Sequence, residues 1–122
     1  MTCVCATEDP EAFWSAVSKM ERTGEPADES HFHVTLLRCH CGARFVKAFT
    51  ETIDWADGED PQYWTVMAVT EEEAAALVPG TGLEAAVASL GPGRRSLRRD
   101  FPKGAKEPRL SWGVGMALGP HD

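Results

Sequence analysis

Every cysteine in the chain belongs to a Cys-x-Cys pair, Cys3 with Cys5 and Cys39 with Cys41. Thiolates are soft ligands, and two closely spaced pairs are what a tetrahedral Zn²⁺ site requires. Residues at i and i+2 reach one ion when they straddle a turn. The 33 residues between Cys5 and Cys39 are no obstacle, because zinc sites often join distant segments. Structural zinc contributes on the order of 10 kcal/mol or more in small domains, enough to dominate a fold of this size. Four thiolates also fill the shell, leaving no open position for substrate or water. The competing readings are four independent thiols, disulfides in any of three pairings, and a reactive redox or catalytic thiol. With only three cysteines bound, His40 or His31 would complete the shell and the site would become exchangeable.

The second pair reads Cys39-His40-Cys41-Gly42. It resembles a zinc knuckle, in which a turn brings two thiolates together and a glycine lets backbone amides face the sulfurs. The resemblance covers these few residues. Both pairs have one intervening residue, where knuckles and ribbons usually have two.

Three other groups of residues have chemical potential. His31 and His33 lie on one side of a predicted strand, roughly 20 Å along the chain from Cys39, and read as strand-surface histidines. The segment from Glu51 to Asp60 holds five carboxylates in ten residues without the EF-hand spacing, so it reads as a solvated acidic turn. Asp54, Trp55, Asp57, Glu59, Asp60, Tyr63 and Trp64 together form the candidate protein-binding surface, because aromatics anchor interfaces. The basic stretch 94–109 offers Arg94, Arg95, Arg98 and Arg99 as an anion site. Pro92 removes an amide that a phosphate cradle would use, and no P-loop, dinucleotide or nucleophile-elbow pattern is present.

The elements that must position these groups can be read in chain order. Asp9 caps a helix that begins at Pro10, and Phe13, Trp14, Val17 and Met20 recur at helical spacing, predicting a helix over 10–22 with Gly24 as its stop. The first cysteine pair is then a short arm leading into this helix. Residues 25–30 read as a polar loop. Strands follow over 32–38, 44–55 and 63–69, with the Cys41-Gly42 turn between the first two and Asp57-Gly58 in a later turn. Phe45, Val46, Phe49 and Ile53 would also fit one helical face. Thr70 with Glu73 makes a capping box for a short helix through Val78, and Thr81 with Glu84 repeats it for Leu83 to Leu90. Residues 110–118 alternate imperfectly and suggest an edge strand.

The expected architecture is a single α+β domain, 1–122, in which a mostly antiparallel sheet of three to four strands packs against the N-terminal helix and two short helices. The two cysteine pairs meet at the sheet end beside the Cys41-Gly42 turn. Net charge is −7 overall, and its sign is uneven: residues 1–90 carry 16 acids and 5 bases, residues 91–122 carry 3 acids and 7 bases. Overall acidity opposes non-specific nucleic-acid binding. No apolar run is long enough to span a bilayer and the first residues lack a signal-peptide pattern, so the cytoplasm is the expected compartment. The function that follows is a non-enzymatic, zinc-stabilised protein-interaction domain. The alternatives are a thiol-based redox protein or zinc-dependent enzyme, and a nucleic-acid-binding protein using 94–109.

Overall fold

A computed structural model describes residues 3–121. Its centre is one six-stranded antiparallel sheet with strands in sequence order: β1 (Glu21–Glu29), β2 (Phe32–Arg38), β3 (Arg44–Glu51), β4 (Gln62–Val69), β5 (Arg95–Phe101) and β6 (Arg109–Val114). Three helices pack around it: α1 (Pro10–Val17), α2 (Glu71–Ala76) and α3 (Leu83–Ala88). Among the described residues no helix is long and apolar enough to cross a membrane.

The α+β class and antiparallel pairing agree with expectation, but the sheet has six strands rather than three to four. Two strands were hidden by their composition. β1 reads Glu-Arg-Thr-Gly-Glu-Pro-Ala-Asp-Glu, residue types depleted from strands. It forms at the sheet edge, where glycine and proline are tolerated, and its register with β2 shifts on both sides of Gly24. The expected helix tail and polar loop over 18–30 therefore become mainly strand. Helix α1 ends at Val17; Met20 packs on the core from the turn beyond it. β5 lies inside the stretch read only as basic and irregular, and alternation along it sends successive arginines to opposite faces.

The predicted strand over 44–55 is a strand only to Glu51, after which the acidic turn begins. Phe45, Lys47, Phe49 and Glu51 share one face, as strand periodicity requires. Asp9 caps α1, its Oδ1 accepting from the Glu11 N–H at 3.1 Å, with Pro10 in the first turn. The Thr70–Glu73 capping box forms in both directions at 3.0 and 2.8 Å. The second box does not: Gly82, at φ 97°, is the N-cap of α3, with no side-chain cap bond. The edge strand expected over 110–118 is β6, ending at Val114.

The sheet has a core on each face. On one, α1 lays Phe13 and Val17 over Leu37, Phe45, Val66 and Leu97, beside Cys5 and Cys39. On the other, Leu77, Leu83 and Val87 cover Val34, Val46 and Met67. The C-terminal segment straps this second face. Ser96 Oγ donates to the Gly115 carbonyl and Thr65 Oγ1 to the Ala117 carbonyl, both at 2.7 Å. His121 then stacks on Phe32, 4.9 Å between ring centroids.

Candidate metal centre

The four cysteines converge. Cys39 follows β2, and its N–H and C=O close the β2–β3 turn, pairing with the Ala43 carbonyl at 2.8 Å and the Gly42 N–H at 2.9 Å. Gly42 sits at φ 96°, a left-handed conformation that side chains resist. Opposite this turn, Cys3 and Cys5 flank the start of a short 3-10 helix, Val4–Ala6. The Sγ atoms of Cys3 and Cys39 lie 3.5 Å apart, as do those of Cys5 and Cys41. All four sulfurs lie within 4.8 Å of one another. A tetrahedron with Zn–S bonds of ~2.3 Å has edges of ~3.8 Å, close to the two 3.5 Å separations.

Both pairs repeat one local device. The Cys5 backbone favours thiolate at Cys3, and the Cys41 backbone favours thiolate at Cys39. The first brings the Cys3 thiol down to about 6, with the Cys39, Cys5 and Cys41 side chains adding to the effect. Burial, and then the neighbouring sulfurs, push the Cys5 thiol up. Burial also dominates at Cys39 and raises it. Four sulfurs packed this closely, two of them buried, cannot all carry negative charge unaided. A divalent cation would remove that penalty, so the donor set suits a soft metal ion.

His40 stands over the group, its Nε2 3.8 Å from Cys3 Sγ and its Nδ1 3.7 Å from Cys39 Sγ. It borders the sulfurs without being one of the four converging ligands. His31 lies at the far end of β2 and pairs with Glu51 at 3.1 Å, so it has no access to the cysteines. His33 pairs with Asp28 at 3.1 Å and forms a second convergence with Glu25. There Arg22 already approaches Glu25 at 3.6 Å and supplies that carboxylate with a counter-charge.

The arm carrying Cys3 and Cys5 is held by more than the cysteines. Trp112 Nε1 donates to the Glu8 carbonyl at 2.7 Å, and Arg95 Nη2 to the Thr7 carbonyl at 3.0 Å. Arg95 also stacks on Trp112 at 3.8 Å, and Trp112 packs against Phe13 at 5.4 Å. Sequence reasoning missed these clamps; the only local signal was alternation around Trp112.

The candidate anion site is dispersed. Arg94 pairs with Glu73 at 2.8 Å and with the Ala68 carbonyl. Arg95 holds the arm. Arg98 donates to the Val114 carbonyl at 3.3 Å. Arg99 lies against the rings of Trp14 and Trp64, at 5.1 and 4.4 Å. The four arginines therefore do not face one ligand.

The acidic-aromatic group is also divided. Asp54 organises the turn: its Oδ1 accepts from the Ala56 and Asp57 N–H groups at 3.2 and 3.3 Å, and its Oδ2 faces Lys103 at 3.1 Å. That ammonium holds the Asp54 carboxyl below its ordinary range. Lys103 also meets Asp57 at 2.7 Å, while Asp60 Oδ1 accepts from the Asp54 N–H at 2.8 Å. Trp55 projects from this turn, 90% exposed. Tyr63 and Trp64 are neighbours on β4 and point to opposite faces. Trp64 packs on Phe49, while Tyr63 borders Gly119 of the C-terminal strap. Glu59 and Asp60 line a cleft with Glu51, Gln62 and Phe101.

Compared with protein-family models, curated proteins and solved structures, the chain matches none.

Proposed function

We propose that this chain is a zinc-stabilised interaction domain, with Cys3, Cys5, Cys39 and Cys41 as the ligands of one structural Zn²⁺. The observation that carries the reading is the tetrad itself: four sulfurs from two distant segments, within 4.8 Å of one another and paired across the segments at 3.5 Å. All-sulfur tetrahedral donor sets select zinc or iron–sulfur chemistry, and four single cysteine ligands around one ion fit a closed structural zinc site. The ion ties the arm ahead of α1 to the β2–β3 turn. A reducing compartment such as the cytoplasm suits a site built on free thiols.

The output of the domain is recognition of a protein partner through the acidic turn. Trp55 supports this reading because a large aromatic, 90% exposed on a turn braced by Lys103, is a preorganised interface anchor. Asp57 and Glu59 flank it as the polar rim. Tyr63 and Trp64 serve the sheet instead. The nucleic-acid reading is weaker, since Arg94, Arg95 and Arg98 are engaged within the fold.

Native mass spectrometry at neutral pH tests the metal assignment: one zinc per chain is expected, and a folded chain without metal in zinc-supplemented buffer overturns it. Affinity capture with the wild-type chain and Trp55→Ala tests the surface. Recovery of the same partners by both would remove Trp55 from the interface.

A further inference from the structure

Each cysteine of one segment lies beside a cysteine of the other, and each neighbouring pair joins an accessible sulfur to a buried one. Cys3 is partly exposed and lies 3.5 Å from buried Cys39; Cys41 is exposed and lies 3.5 Å from buried Cys5. Redox-sensing cysteines are accessible to the oxidant and often stand next to a resolving cysteine, and here each accessible sulfur has such a neighbour.

We propose that the tetrad is a site of oxidation by hydroperoxides, closing the disulfides Cys3–Cys39 and Cys5–Cys41 and expelling the metal. This rests on the zinc reading above. In each half-reaction the accessible thiolate attacks a peroxide oxygen, the O–O bond breaks, and a sulfenic acid forms with release of water, or of the alcohol from an organic hydroperoxide, after one proton is taken up. The buried thiolate of the neighbouring cysteine then attacks that sulfur. The S–S bond forms, the S–O bond breaks, and the oxygen leaves as water after a second proton is taken up. With hydrogen peroxide, four thiolates lose four electrons to two peroxides, four protons are consumed and four waters form. A Zn²⁺ ion is released, because the disulfide sulfurs are no longer anionic ligands.

The pairing has a structural consequence. Both disulfides run between the arm and the β2–β3 turn, so the oxidised chain loses zinc but keeps the arm in place. Pairing within a Cys-x-Cys segment would instead expel zinc and free the arm. Oxidation at this site exchanges one cross-link for another rather than unfolding the domain.

The test is to treat the zinc-loaded chain with hydrogen peroxide and follow zinc release, intact mass and disulfide connectivity. The expected result is one zinc released per chain and a mass ~4 Da below the reduced metal-free chain, reversed by dithiothreitol. Fragmentation of the linked peptides should separate Cys39 from Cys41 and assign Cys3–Cys39 and Cys5–Cys41. Bonds within either Cys-x-Cys pair, Cys3–Cys41 with Cys5–Cys39, accumulation of sulfinic acid, or unchanged thiols overturn the proposal. The same map on the chelated, reduced chain separates the two readings: a chain that never holds zinc refutes the metal assignment, while its disulfide pattern still decides the pairing. As a second measure, metal-free Cys3→Ser/Cys39→Ser, which retains Cys5 and Cys41, should oxidise several-fold faster than Cys3→Ser/Cys5→Ser. Equal rates would count against the pairing.

Discussion

Replacing Cys41 by serine separates a metal site from four independent thiols with unusual clarity, because Cys41 is exposed. Without a metal, exchanging one exposed sulfur for oxygen belongs with surface substitutions, which usually change stability by less than ~0.5 kcal/mol. With a metal, it removes one of four ligands. A ligand that binds only the folded state stabilises it by ~2.7 kcal/mol at a free concentration 100 times its dissociation constant. An unfolding entropy of ~2.1 cal/mol/K per residue, over 122 residues, gives ~0.26 kcal/mol/K, so losing that linkage lowers the melting temperature by ~10 °C. His40→Ala is the matched control. It removes ring contacts at 3.7 and 3.8 Å to two sulfurs and should cost ~0.5 kcal/mol, or ~2 °C by the same conversion. Thermal melts followed by circular dichroism, with zinc buffered at a fixed free concentration and again with chelator, read both numbers. Chelation should bring the wild type down to Cys41→Ser and leave the variant unmoved. If both variants melt within ~2 °C of a wild type that ignores the chelator, the tetrad is not a metal site.

Three further substitutions test other parts of the framework. Arg94, and then the Thr70 N–H, hold the Glu73 carboxyl below its usual value of 4.5, giving stability that is present above that pH and lost as pH falls below it. Glu73→Gln should therefore melt lower than wild type near neutrality, with the gap closing in acid; a gap constant with pH would refute the linkage. Lys103→Ala removes the cation shared by Asp54 and Asp57, and should speed amide exchange and proteolysis across residues 52–61 while leaving β2 and β3 protected. Gly119→Ala would place a Cβ 2.7 Å from the Tyr63 ring and 2.8 Å from Thr50 Oγ1. Overpacking of this kind costs ~1–3 kcal/mol, and a denaturation midpoint equal to wild type would show that the C-terminal strap yields freely.

Local chemistry was legible at several points where a few adjacent residues carried the instruction. Asp9-Pro10 started α1 as read, Thr70 with Glu73 formed its capping box, and Gly42 turned the chain beside Cys41 because its backbone must adopt positive φ. One local pattern misled: Thr81 with Glu84 has the same spacing as Thr70 with Glu73, yet Gly82 is the cap of α3. The other failures came where partners lie far apart. Glu21 to Glu29 has little strand preference of its own and is held by pairing with β2. Arg95 looked like an anion ligand until Thr7 and Trp112, nearly ninety residues before it and seventeen after, came to meet it.

The sequence by itself determined the identity of the candidate metal ligands, since thiolate softness and the i, i+2 spacing are properties of the residues and their immediate neighbours. It also determined that a turn would present the second pair. Only the tertiary structure decided which sulfur faces which, that the accessible Cys3 and Cys41 each stand beside a buried partner, and that the arginines are spread over several tasks. Those outcomes depend on strand register, which assigns every side chain to a face, and on contacts between segments far apart in the chain.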